Sequence, residues 1–230
     1  MNYIFEGILK AFQFILALDP KVFTAVWVSL RTSLIAVTLA TIAGVPIGFM
    51  VATYEFRGKG PLITVLQTLM ALPTVVVGLT VYSFLSRQGP FGSLGLLYTP
   101  AAMVVGQFIL ATPIIAALTL SAVQGIDPRL RDTAMTLGAS RLQTALTITA
   151  ETRFAIMAAI IAGFGRIIAE VGSAMMLGGN IKGFTRTMTT AIALETSKGE
   201  FGLGIALGII LLIVAFSVNI LFQTLQKAEV

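Results

Sequence analysis

Apolar residues in this chain neither alternate nor gather into short blocks. They form long uninterrupted runs. Thr32 to Tyr54 and Gly60 to Ser86 contain no charged residue, and neither does Gln88 to Ile126. The last of these opens with a loop rich in Gly and Pro (Pro90, Gly92, Gly95, Pro100) and continues as an apolar segment from about Thr99 to Val123. Gly202 to Gln226 is also free of charge, and Phe154 to Leu177 is apolar but carries Arg166 and Glu170. A helix needs about 20 residues to cross a hydrocarbon layer about 30 Å thick. The pattern therefore predicts an all-α, polytopic membrane protein with about five transmembrane helices.

The first nineteen residues follow another rule. Ile4, Phe5, Ile8, Leu9, Phe12, Ile15 and Leu16 fall on one helical stripe, and Glu6, Lys10 and Gln13 on another. This two-faced pattern predicts an amphipathic helix in the membrane interface over residues 1–19. Glu6 and Lys10 interrupt what would be the apolar core of a signal peptide, and no Ala-x-Ala site follows. Asp19-Pro20 reads as an N-cap or turn that opens a single transmembrane domain over residues 20–226.

One polar segment has a structure of its own. In 127–153, Asp127 is a natural N-cap and Pro128 suits the first helical position. A short helix should run to Leu137 and stop at Gly138, and Ser140-Arg141-Leu142-Gln143 fits a capping box that opens a second helix. Ala134, Leu137, Leu142 and Leu146 give this unit apolar knobs. Two readings stay open on pattern alone: a hairpin lying on lipid, or a surface that docks into a groove on a soluble partner.

Composition narrows the function. Hydrophobic residues make up 57% of the 230 positions and charged residues 11%, against about 25% charged in an ordinary soluble domain. No single soluble core disposes of that much apolar surface. The net charge of +5 fits a bilayer surface and does not call for nucleic acid. With no Cys and no His, thiol chemistry, thiolate metal sites and the commonest general base are absent. No P-loop, EF-hand or His-Glu-x-x-His pattern occurs, so neither nucleotide nor metal is expected in this chain. Charge does not fix orientation: Arg57, Lys59, Arg129, Arg131, Arg141, Arg153 and Lys227 fall on one side, and Lys10, Lys21, Arg31, Arg87, Lys182, Arg186 and Lys198 on the other.

Arg166 and Glu170 are four residues apart, and charges within a span are costly. They read either as a structural ion pair or as part of an anion pathway, with Arg166 attracting a dianion and Glu170 limiting how firmly it is held. Gly172 follows closely. Gly179 and Asn180, with Thr185, Arg186 and Thr187, supply NH groups, hydroxyls and a guanidinium suited to oxyanions. The same groups suit a re-entrant turn whose backbone is satisfied internally. The spans also hold many glycines and prolines (Gly44, Pro46, Gly48, Pro73, Pro113, Gly204, Gly208), which serve close packing or a bundle that bends.

The segment Asp132-Thr133-Ala134-Met135-Thr136-Leu137-Gly138-Ala139-Ser140 resembles the EAA motif of ATP-binding cassette (ABC) importer permeases. Asp132 stands for the usual Glu and Thr133 for the first Ala, and Ala150-Glu151 replaces the usual Leu-Pro further on. Ser29-Leu30-Arg31-Thr32-Ser33-Leu34, Gly44-Val45-Pro46-Ile47-Gly48, Ala71-Leu72-Pro73-Thr74-Val75 and Gly89-Pro90-Phe91-Gly92 resemble the molybdate, sulfate and tungstate branch. Gly165-Arg166-Ile167-Ile168-Ala169-Glu170-Val171-Gly172, Gly178-Gly179-Asn180-Ile181 and Thr185-Arg186-Thr187-Met188 are similar to its tungstate members in particular.

The resemblance implies a type I ABC importer permease fold (MetI-like) in a prokaryotic cell membrane, with 127–153 in the cytoplasm. It implies a homodimer, two ABC ATPase subunits that bind ATP and Mg, and an extracytoplasmic oxyanion-binding protein. Asp132, Thr133, Ala134, Leu137, Gly138, Ala139 and Ser140 would then form the helix that couples to the ATPase. The chain itself would do no bond chemistry. A stand-alone secondary transporter or channel for anions is the rival class, and a membrane scaffold that merely docks a soluble protein is a third.

Overall fold

The structure is a computed structural model that describes residues 2–17 and 19–227, all helices, turns and loops. Met1 and Leu18 of the expected 1–19 helix lie outside the described residues. The helices are α1 (Asn2–Leu16), α2 (Pro20–Thr53), α3 (Lys59–Leu69), α4 (Thr74–Leu85), α5 (Pro100–Gln124), α6 (Pro128–Thr136), α7 (Arg141–Glu151), α8 (Arg153–Ile168), α9 (Gly172–Gly178), α10 (Met188–Ser197) and α11 (Phe201–Lys227).

Three helices are long and apolar enough to cross a membrane unaided: Pro20–Thr53, Pro100–Gln124 and Phe201–Leu221. The first is longer than the charge-free run suggested. Asp19 caps it by accepting the Lys21 N–H at 2.8 Å, so the helix starts before Arg31. Two bent pairs bring the number to as many as five, if each pair is counted as one span. The expected second span breaks at Pro73, where α3 and α4 meet at 99°, because the pyrrolidine ring cannot continue the helix. The expected fourth span also divides. Its helix α8 stops at Ile168 and pairs across a 66° bend with α7.

The core forms where small residues let backbones approach. Ala36 and Ala40 of α2 meet Ala111 and Ile115 of α5, and Phe164, Ile167, Ala174 and Leu177 of α8 and α9 close the cluster from the other side. A Cβ at Gly48 would collide with the Ala116 carbonyl oxygen and come within 2.9 Å of Thr119 Cβ. Only glycine permits this α2–α5 contact. Without a hydrophobic force between helices in lipid, such close packing is what holds them together. Outward faces of α2, α4 and α11 expose Leu34, Leu39, Val75, Leu79, Leu212 and Phe216, as a lipid-facing bundle requires.

Helix α1 packs on α11 through its small residues. A Cβ at Gly7 would meet the Ile205 side chain, and Ala11 is buried. The stripe Ile4, Phe5, Ile8, Leu9 and Phe12 points outward, and Lys10 pairs with Glu6 at 2.7 Å.

Candidate coupling and pathway sites

The 127–153 unit is built from two caps placed back to back. Asp127 Oδ1 accepts the Arg129 N–H at 2.9 Å and starts α6. At the other end the Gly138 N–H donates to Met135 O and the Ala139 N–H to Ala134 O, both at 3.0 Å. These are the paired bonds of a Schellman stop, and they require the left-handed backbone that Gly138 adopts at φ +85°. Ser140 then opens α7 with a complete capping box: Ser140 Oγ accepts from Gln143 N at 3.3 Å, and Gln143 Oε1 accepts from Ser140 N at 2.7 Å.

This chemistry displays the leucines. Leu137 is 82% exposed, Leu142 70% and Leu146 61%, while Asp132 and Thr133 are exposed beside them and Ala134 and Ala139 are half-buried. Arg131 Nη1 donates to the Thr53 carbonyl at the end of α2, 3.3 Å away, which ties α6 to the bundle.

The intramembrane charges do meet, although not on one continuous helix. Arg166 Nη1 lies 3.4 Å from Glu170 Oε2. Glu170 sits beyond the end of α8, in the break before α9, with its side chain 2% exposed, whereas that of Arg166 is 40% exposed. The break has a physical cause. Glu170 Oε1 accepts the Ser173 N–H at 2.8 Å, so the carboxylate satisfies the first turn of α9, and the Glu170 carbonyl accepts from Thr189 Oγ1 at 2.7 Å. Gly172 serves the packing of α9 on α4, since a Cβ there would come within 3.0 Å of Val75 Cγ2 and 3.2 Å of Thr74 Oγ1.

Thr187 joins the same group through Thr189, the two hydroxyls being 2.9 Å apart, and forms a capping box with Thr190 at the start of α10. A buried bond from Met188 N to Ser29 Oγ at 2.9 Å locks α10 to α2.

Gly179, Asn180, Thr185 and Arg186 form a second group. Gly179 (φ +68°) and Asn180 (φ +52°) reverse the chain after α9. Thr185 Oγ1 donates to Gly178 O and accepts from Ile181 N at 3.0 Å. Arg186 Nε donates to Asn180 Oδ1 at 3.1 Å and Nη2 to Asn180 O at 3.3 Å. The groups suited to an oxyanion are therefore bonded largely within the turn. Arg186 also lines a cleft of about 320 Å³ with Lys21 and Lys182, tempered by Asp19 and Glu195, and Arg166 is not part of it. The expected pathway residues thus fall into two places.

Sequence reasoning missed Gln107. This amide is buried in α5, donating to Ser33 Oγ at 3.4 Å and to Ile167 O at 3.3 Å, and its Oε1 has no partner among the described residues. A lone amide in a charge-free span was the available signal.

Residues 44–229 match the protein family described as "Binding-protein-dependent transport system inner membrane component". This chain belongs to that family. It is a multi-pass inner-membrane permease of the ABC importer type. It is 38% identical over 227 residues to the tungstate uptake system permease protein TupB of Peptoclostridium acidaminophilum, covering 99% of this chain and 100% of that one. It is 40% identical to TupB of Campylobacter jejuni, covering 99% and 95%. Among solved structures, an inward-facing MetNI methionine ABC transporter superposes with a TM-score of 0.76 over 92% of this permease and 99% of that chain, at 16% identity. The fold expected from the resemblance is thus the observed one.

Proposed function

We propose that this permease is the membrane subunit of an ATP-driven oxyanion importer, with tungstate the preferred cargo ahead of molybdate and sulfate. Two copies enclose the pathway, two ABC ATPase subunits bind below, and an extracytoplasmic oxyanion-binding protein delivers from above. The observation that carries this reading is the capped helix–glycine–helix unit with outward leucines, on a chain similar along nearly its whole length to tungstate permeases.

In this reading the 127–153 loop is cytoplasmic. Asp132, Thr133, Ala134, Leu137, Gly138, Ala139 and Ser140 form the docking face, and Leu137 enters a groove on the ATPase. ATP and Mg stay on the partner. Closure of the two ATPases draws the two α6 helices together, and the Arg131–Thr53 bond helps pass that motion to α2. Arg166 and Glu170 hold the α8–α9 break that the moving spans must preserve. Helix α1 rests in the outer interface with its apolar stripe in lipid.

Proteoliposomes containing the permease, its ATPase and its binding protein test the reading. Tungstate uptake should require both partners and ATP. Uptake by the permease alone, without ATPase or ATP, would establish a stand-alone transporter and refute it.

A further inference from the structure

A cavity of about 630 Å³ opens at the end of the bundle opposite the 127–153 unit. Its polar lining comes from Tyr82 of α4, from Ser86, Arg87 and Gln88 just beyond α4, and from Tyr98 just ahead of α5. Every one of these side chains carries an N–H or O–H donor, and none is an acid. Arg87 is exposed and makes no hydrogen bond or ion pair with any described residue.

Tyr98 is held there against its backbone preference. At φ +63° it is one of two non-glycine residues in the left-handed region among those described. An aromatic residue stays in that region only when its surroundings enforce it, and such residues gather at ligand sites. Three contacts enforce it here. The Tyr98 N–H donates to Leu177 O at 2.8 Å. The ring lies on Gly179, where a Cβ would come within 2.8 Å of Tyr98 Cδ1. The ring also meets Tyr82 edge-on, with centroids 6.4 Å apart.

The result sets two phenol hydroxyls side by side, 3.4 Å apart. That is well beyond the usual O–H···O separation of about 2.7–2.8 Å, so neither proton is firmly committed to the other ring. Hydrogen bonding to the Tyr82 hydroxyl moves the Tyr98 pKa above the ordinary phenol value, and both phenols carry their proton at neutral pH in any case.

We propose that this cavity is an outer reception site for a fully deprotonated tetrahedral oxyanion. The hydroxyls of Tyr82 and Tyr98 donate to two of its oxygens and Arg87 supplies the charge. The inference rests on the oxyanion-importer reading and extends it to a site. With no carboxylate in the lining, the proton of hydrogen phosphate meets only the neutral acceptors of Ser86, Gln88 and the phenols, so the site favours tungstate, molybdate and sulfate. Its neutral donors and open mouth hold the ion weakly, as a transfer point must.

Calorimetric titration of the full-length permease with sodium tungstate, in detergent and without partners, reads this site directly. Saturable binding is expected, weakened at least about tenfold by the double substitution Tyr82→Phe with Tyr98→Phe, since hydrogen bonds to a charged group are lost. Both changes keep the rings and their packing. Arg87→Gln should weaken binding as well, and sodium phosphate should compete poorly. Absence of tungstate binding, or undiminished affinity in the double variant, overturns the site. Uptake by the complete complex separates the two claims. Wild-type uptake with no binding here leaves the importer standing and removes the site. A complex that moves no oxyanion removes both.

Discussion

Gly138 offers the sharpest perturbation of the proposed coupling unit. Its φ of +85° closes the Schellman stop of α6, and a Cβ placed there meets no atom within 4 Å. Substitution therefore tests backbone conformation without steric confusion. Gly138→Ala places an L-residue in the left-handed region at a cost of about 1–2 kcal/mol. The ratio of capped to frayed conformers then falls by about five- to thirtyfold. Gly138→Asn should be milder, because Asn tolerates this region. Gly138→Pro should be the most severe: it fixes φ near −65° and removes the N–H that donates to Met135 O. The assay is the number of ATP molecules hydrolysed per anion taken up in proteoliposomes carrying the complete complex. The ratio should rise in the order Asn, Ala, Pro. A Pro variant with wild-type coupling would refute the assignment of this stop to force transmission.

Three further outcomes follow from the packing. Glu170→Ala leaves the Ser173 N–H and the Arg166 guanidinium without their partner, so the melting point of the purified permease should fall, with a loss of about 1–3 kcal/mol; Arg166→Glu should be worse than Arg166→Ala, because it sets two acids together, and equal melting of those two would show that the contact is energetically idle. Gly48→Leu should prevent α2 from seating on α5 and abolish accumulation of folded protein in the membrane, measured by size-exclusion chromatography in detergent, whereas a monodisperse wild-type profile would contradict the close approach at Ala116.

Much of this protein was legible in its sequence where the cause is local. Charge-free runs of sufficient length specify spans, because an unpaired charge or backbone group in hydrocarbon is too costly. The caps at Asp127, Gly138 and Ser140 are set by residues within a few positions of one another, so their types and spacing specify α6, the stop and α7. The exposed leucines follow from the same spacing.

Tertiary structure decided what depends on partners far along the chain. The fourth span ends at Ile168 and not at Leu177 because Glu170 is captured from both sides, by Ser173 and by Thr189. Thr185, Arg186 and Thr187 looked like anion ligands, but folding commits most of their donors to neighbouring backbone and side chains. Met188 finds Ser29 across 159 positions, and Gln107 finds Ser33 across 74. The left-handed Tyr98 is written into no local pattern, since it needs Leu177 to take its N–H and Gly179 to make room for its ring. Sequence determined which segments enter the membrane, because transfer from water is a property of each segment alone. Packing determined which polar groups remain free, because a buried donor is satisfied by whatever acceptor the fold brings within reach.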